Sequence, residues 1–352
     1  MKIEEIFGSS GLDEMGEELQ RLLPDKQLSF RQLTENIMEG DFHNIGEIGM
    51  EEIVSSIGKE WMGMKELLVS LVFIVFLSSF INIIKKSFQN KQIAEIAHYS
   101  NYLIMIILFI RLFGEIIGLC ESTLRNIEQF MRIFFPAYFM LVGGTVGISS
   151  GLFYFQLAGL VIYFIEGILI HIMIPLLNIY MFLNFMNGIW EENRLSAVIS
   201  LIKKGISLSF KIMLAMITGI GFTQSLILPL TDKIQKEGVY HLLDMIPGVG
   251  DAAKGVFSMW LGSALIVKNS VGIVGCFFLL LIVMTPLVKI LAVYFILRVV
   301  SALLSIVCER KMIDCIREVG NGVQLCFQTT GYGVLFFIML IAMSAYTGRG
   351  GY

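Results

Sequence analysis

The chain has 352 residues, of which 56% are apolar and 16% charged, with mean hydropathy +0.76 and a net charge of −3. Soluble domains carry about 45–50% apolar and about 25% charged residues, so this composition excludes an ordinary soluble enzyme. The basic residues stand singly at the ends of apolar runs, without a patch of interleaved aromatics, which excludes nucleic acid as a partner.

Charge is unevenly placed. Residues 1–65 hold 14 acidic and 6 basic residues, whereas the remainder holds 15 and 20. Residues 1–65 are therefore expected to form an acidic, amphipathic helical region, and residues 66–352 a polytopic membrane domain. Leu12, Met15, Leu19 and Leu22 make a helical stripe that Pro24 ends, and Ser29 with Gln32 forms a capping-box pattern ahead of Phe30, Leu33 and Ile37. These helices either pack on one another or offer a docking platform. Met1 leads into KIEEIFGSS, which is not the basic and apolar pattern of a secretory signal.

A bilayer core about 30 Å thick takes about 20 apolar residues to cross as a helix. Leu67–Ile84 is the first such run, and Lys85, Lys86 and Lys91 after it predict a cytoplasmic exit, with the acidic region outside the cytoplasm. Tyr99–Leu119 is the second; it carries Arg111 and Glu115, which share a helical face at i and i+4 and are either a neutralised packing pair or the lining of a pathway. Glu121–Arg132 alternates charge with Leu124, Ile127 and Met131, as in a helix lying in the membrane interface. Phe134–Val146 and Leu152–His171 follow, separated by the glycine-rich stretch Gly143–Gly151, which is either a tight loop or unwound backbone. Glu166 is a polar outlier in the second of these runs.

Pro175 opens a further span through Trp190, and Ile206–Leu230 follows the basic pair Lys203 and Lys204. The longest apolar run, Leu261–Val307, exceeds one ordinary crossing and is expected to break, tilt or re-enter. It contains Lys289, three residues after Pro286, where a kink would free backbone carbonyls. Gly331–Tyr346 is the last span. The fold class is thus all-α, a polytopic helical membrane protein with seven or eight transmembrane helices.

Material for catalysis is scarce. GVGDAAKG lacks the Gly-Lys-Ser/Thr ending of a phosphate-binding loop, and neither H-E-x-x-H nor G-x-S-x-G occurs. Cys120, Cys276, Cys308, Cys315 and Cys326 are scattered without a C-x-x-C pair and read as small apolar fillers, so no metal, cofactor or nucleophile site is expected. A conduit, a small-solute transporter or a non-conducting scaffold are the remaining classes, with Arg111, Glu115, Glu166 and Lys289 as candidate pathway residues.

The segment MIPGVGDAAKGVFSMWLGSALIVKNSVGIVG, followed by TPLVKILAVYFI, resembles the stage III sporulation protein AE family of endospore-forming bacteria. The matching motif positions are Pro247, Gly248, Gly250, Asp251, Lys268, Asn269 and Gly272, to which no role is assigned. IPGVGDAAKG is read either as a re-entrant elbow facing a watery vestibule or as a connection that lets two helices pack. The resemblance implies a multi-pass protein of the mother-cell-derived outer forespore membrane. It would serve as the core or permease-like subunit of a secretion-like channel joining mother cell and forespore, needed for late forespore development. Implied partners are the other proteins of the stage III sporulation A operon, a forespore-side protein and membrane lipid. Any ATPase would be a separate subunit.

Overall fold

The computed structural model describes residues 12–21, 29–41, 91–146, 148–189, 194–244, 250–305 and 310–346, with scattered positions between 46 and 80. Most of Leu67–Ile84, together with Pro247 and Gly248, lies outside the described residues. The elements are α1 (Leu12–Arg21), α2 (Phe30–Glu39), α3 (Lys91–Val146), α4 (Ile148–Glu166), a π-helical segment (Gly167–Met173), α5 (Ile174–Ile189), α6 (Ser196–Asp244), α7 (Gly250–Leu304) and α8 (Arg310–Tyr346). No strand occurs among the described residues.

The two short helices form where the patterning predicts. Ser29 caps α2 by accepting the Gln32 N–H at 3.4 Å, and Gly40, with φ +83°, closes it in the left-handed region that glycine enters without steric cost. Their apolar stripes are not spent on each other alone. Met15, Leu19, Phe30, Leu33 and Ile37 are buried, α1 packs on α3 and α2 on α7, and the Phe30 ring sits 5.4 Å from that of Phe278. Helices α1 and α2 are therefore docked onto the apolar helices.

Span boundaries differ from those the sequence suggests. The predicted run Tyr99–Leu119, the supposed interfacial helix Glu121–Arg132 and the run Phe134–Val146 are one helix, α3, of 56 residues, about 84 Å long at 1.5 Å per residue. Pro136 is contained within it. Leu152–His171 and the Pro175 span are likewise one rod, α4–π–α5. A proline ring clashes with the carbonyl four residues back, here that of His171. The π segment spans that carbonyl and ends at Met173, so the wider i→i+5 turn accommodates the ring and the rod runs on. Four stretches are long and apolar enough to cross a membrane: Tyr102–Val142, Phe155–Gly188, Gly262–Leu303 and Met312–Ala345. The seven or eight separate crossings expected from hydropathy are not seen among the described residues. Proline and charged turns that would end a helix in water are carried through when neighbouring helices cover the backbone.

α3 ends at Val146 and α4 begins at Ile148, and Phe155 stacks 5.2 Å from Phe135, so the two helices run back along each other. Gly250 and Asp251 open α7 as helical residues, and residues 246–249, the first part of IPGVGDAAKG, lie outside the described residues. The long run after it does not break. It is carried as a single helix of 55 residues with Pro286 inside.

Contacts along the rods set their directions. Phe113 and Leu124 of α3 face Gly322 and Gly333 of α8, advancing together, so these helices run parallel. Phe210 and Gly221 of α6 meet Tyr332 and Met343 of α8 in the same sense. Met181 of α5 and Leu169 of the π segment meet Gly322 and Gly333 in reverse order. α7 meets α8 where Leu297 faces Gly320 and Arg298 faces Asn321, and its Gly272 and Gly275 meet Tyr138 and Phe134 of α3 in reverse order, so it runs against α3 and hence against α8. α8 is thus the central rod, packed by α3, α5, α6 and α7 around one continuous apolar core.

Candidate functional site

Three polar arrangements interrupt this apolar bundle, and each is built by a helical period. The first lies inside. On α8, Glu318, Asn321 and Gln324 recur every three residues and so form a stripe on one face. Arg298 of α7 reaches it: Nη2 donates to Asn321 Oδ1 at 2.9 Å and to Gln324 Oε1 at 3.4 Å, and the guanidinium lies 5.2 Å from the Tyr294 ring centroid. Tyr180 of α5 donates its hydroxyl to Glu318 Oε2 at 3.0 Å. Three helices are joined at this level by side-chain hydrogen bonds across an otherwise apolar core. Two turns further along α8, Cys120 Sγ of α3 and Thr330 Oγ1 lie 3.1 Å apart, both buried.

The second arrangement faces outward. α3 carries Arg111–Glu115 at 3.5 Å, Arg125–Glu121 at 2.7 Å and Arg132–Glu128, each pair at i and i+4. At 100° per residue these six side chains fall within about 140° of arc, over about 32 Å of helix. The Arg111 side chain is 83% exposed and that of Glu115 67%. On the inner side of the same turns, Phe113 is buried against Gly322. α3 is thus amphipathic across its middle, between the apolar runs at residues 102–110 and 134–142.

The third is the motif face of α7. Lys268 is fully buried, Ser270 nearly so, and Asn269 Oδ1 is buried without a hydrogen-bond partner among the described residues. Gly272 and Gly275 lie one and two turns beyond Lys268. A methyl group at Gly275 would overlap the Phe134 ring, and one at Gly272 would come 2.9 Å from the Tyr138 hydroxyl. Phe130, Phe134 and Tyr138 stack along α3 with centroids 5.3 and 5.1 Å apart. Gly272 therefore serves close approach of α7 to this aromatic ladder.

The sequence-predicted pathway residues do not converge. Arg111 and Glu115 pair on the outer face of α3. Glu166 ends α4 and is 8% exposed; its Oε1 has no hydrogen-bond partner among the described residues, and the charges acting on it are those of Glu128 and Arg132. Those residues stand about 25 Å along α3 from Arg111. Lys289 lies on a third helix, α7, and is exposed. Of the motif positions, Lys268, Asn269 and Gly272 form one buried place, whereas Pro247 and Gly248 are outside the described residues. Sequence reasoning missed Tyr180, a single hydroxyl within the Pro175 span, and also Glu318, Asn321 and Gln324, because a last span that opens at Gly331 leaves these three outside it. The three-residue period of the α8 polar residues is the signal that would have found them.

No group of three or more His, Cys, Asp or Glu residues placed to hold a metal occurs among the described residues. The arrangement offers hydrogen bonding and balanced charge within an apolar bundle.

No solved structure matches the chain. The family model described as stage III sporulation protein AE matches residues 28–348. A relative from Bacillus subtilis (strain 168), stage III sporulation protein AE, is 22% identical over 305 residues, covering 85% of this chain and 75% of the relative. Four apolar helices of spanning length accord with a membrane protein of sporulation. The chain belongs to the stage III sporulation protein AE family.

Proposed function

We propose that this protein is the membrane-embedded, non-catalytic core subunit of a secretion-like channel joining mother cell and forespore. It would reside in the mother-cell-derived outer forespore membrane, assembled with other proteins of its operon and a forespore-side partner, with any ATPase supplied by a separate subunit. The observation that carries this reading is the outward charged stripe of α3. A charge at the centre of a bilayer costs at least about 2.5–3.5 kcal/mol unless it is paired or wet. Three ion pairs along about 32 Å of one face, exposed at its arginines and half-buried at Glu128, therefore border water or another protein surface instead of acyl chains. A balanced row of both signs also suits a wall past which cargo of either charge can move.

Cysteine accessibility tests this. In a background lacking the native cysteines, Arg125→Cys should react with a membrane-impermeant maleimide at least about tenfold faster than Ile107→Cys, a residue exposed on an apolar part of the same helix. Equal, slow labelling at both positions would place the stripe against lipid and remove the support for a conduit.

A further inference from the structure

We infer that a half-open cleft between α6 and α8 binds the phosphate headgroup of an anionic phospholipid. The cleft has a volume of about 300 Å³ and is lined by Lys203, Ser207 and Lys211 of α6 and by Gln328 and Tyr332 of α8, at the lower end of the roughly 300–1,000 Å³ range of small-ligand sites. Lys203, Ser207 and Lys211 recur every four residues, so they rise along one side of α6. The Phe210 ring, 4.5 Å from that of Tyr332, forms an aromatic floor that continues to Phe336 at 5.8 Å. Among the described residues neither lysine has a carboxylate within ion-pair distance, and the Gln328 amide and Tyr332 hydroxyl have no protein hydrogen-bond partner. The cleft thus presents two ammonium groups, an amide, a hydroxyl and a phenol. This donor set matches phosphate oxygens.

Placement favours a lipid as the source of that phosphate. Lys203 lies near the start of α6, where the polar stretch EENR precedes the helix. From Lys211, deeper along the helix, a flexible stem can return its ammonium toward the same level. Leu214, one turn beyond Lys211, also lines the cleft and is 43% exposed, and Leu208 and Ile212 are exposed beside it. A headgroup held at the lysines would send its chains along this apolar surface. Basic pockets between membrane helices are a recurrent way of holding anionic headgroups.

The test uses the full chain purified in detergent and titrated with phosphatidylglycerol, phosphatidylcholine or inorganic phosphate, with bound molecules counted by native mass spectrometry. Phosphatidylglycerol should be retained in preference to phosphatidylcholine. The double variant Lys203→Gln/Lys211→Gln should lower its affinity about 30-fold, the loss expected for two basic residues, while Lys203→Arg/Lys211→Arg retains it. Lys204→Gln, exposed on the neighbouring position of α6, should leave binding unchanged. Equal retention of both lipids, an unaltered affinity in the double glutamine variant, or an equal loss with Lys204→Gln would overturn the cleft as the site. Inorganic phosphate bound as tightly as phosphatidylglycerol would overturn the lipid and assign the cleft to a free anion.

Discussion

Arg298 of α7 donates to Asn321 of α8 across 2.9 Å, and its charge is met there by neutral amides, with no carboxylate in ion-pair range among the described residues. Removing the guanidinium leaves the Asn321 and Gln324 carbonyl oxygens without their donor in an apolar surround. Arg298→Leu should therefore destabilise the bundle by about 1–3 kcal/mol. Arg298→Lys should fall between, since an ammonium keeps the charge and loses the fork. Thermal unfolding of the purified protein in detergent reads both; a leucine variant as stable as the parent would show that the layer contributes no net stability.

The outer stripe of α3 should behave in the opposite way. Exposed ion pairs contribute about 0–1 kcal/mol, so replacing Glu121 and Arg125 together by Gln should leave the melting temperature nearly unchanged. If the stripe lines a conduit, spore formation should nevertheless fall by about tenfold or more. Normal sporulation with normal stability would favour a non-conducting scaffold.

Close approach of α7 to α3 gives a steric prediction. Gly275→Val must displace the Phe134 ring, and overpacking of this kind costs about 1–3 kcal/mol. Gly114→Ala, with nothing within 4 Å of the added carbon, should be neutral or slightly stabilising through helix propensity. The comparison of the two melting temperatures decides whether contact or composition is at stake.

The N-terminal helices are held by a small apolar seam centred on Phe30 and Phe278. Truncating such a ring costs about 3–5 kcal/mol when it is buried, more than a helix of 10 residues can supply alone. Phe30→Ala should release α1 and α2, read as faster limited proteolysis before residue 42 while the remaining helices stay protected. Unchanged proteolysis would mean that the seam does not hold α1 and α2.

Thiol reactivity offers a check on the interior. Cys120, Cys315 and Cys326 are buried and Cys276 is partly exposed. Among these four described cysteines, Cys276 should react first with a small thiol reagent in the folded protein, and Cys120, Cys315 and Cys326 only on unfolding. Rapid labelling of Cys120 would contradict its contact with Thr330.

Much of this protein was legible from residue order alone. Its membrane class follows from apolar runs too long for any soluble domain, its α1 and α2 from leucine spacing and the Ser29 cap, and the family resemblance from the motif around Lys268–Gly272. The Arg111–Glu115 pair was also readable, since i,i+4 proximity is a local property of a helix. What the chain could not reveal locally is continuity. Whether Pro136, Pro175 and Pro286 end a helix or ride within one depends on neighbours that cover the freed backbone groups, and those neighbours lie far away in sequence. Nor does hydropathy distinguish Lys268, buried against the α3 side of the bundle, from Lys289, exposed on the same helix; the rotation of α7 decides that, and Gly272 and Gly275 set the rotation by admitting Tyr138 and Phe134. The Arg298 layer likewise exists only once α5, α7 and α8 are brought side by side, because its partners come from three helices and no local pattern encodes their pairing.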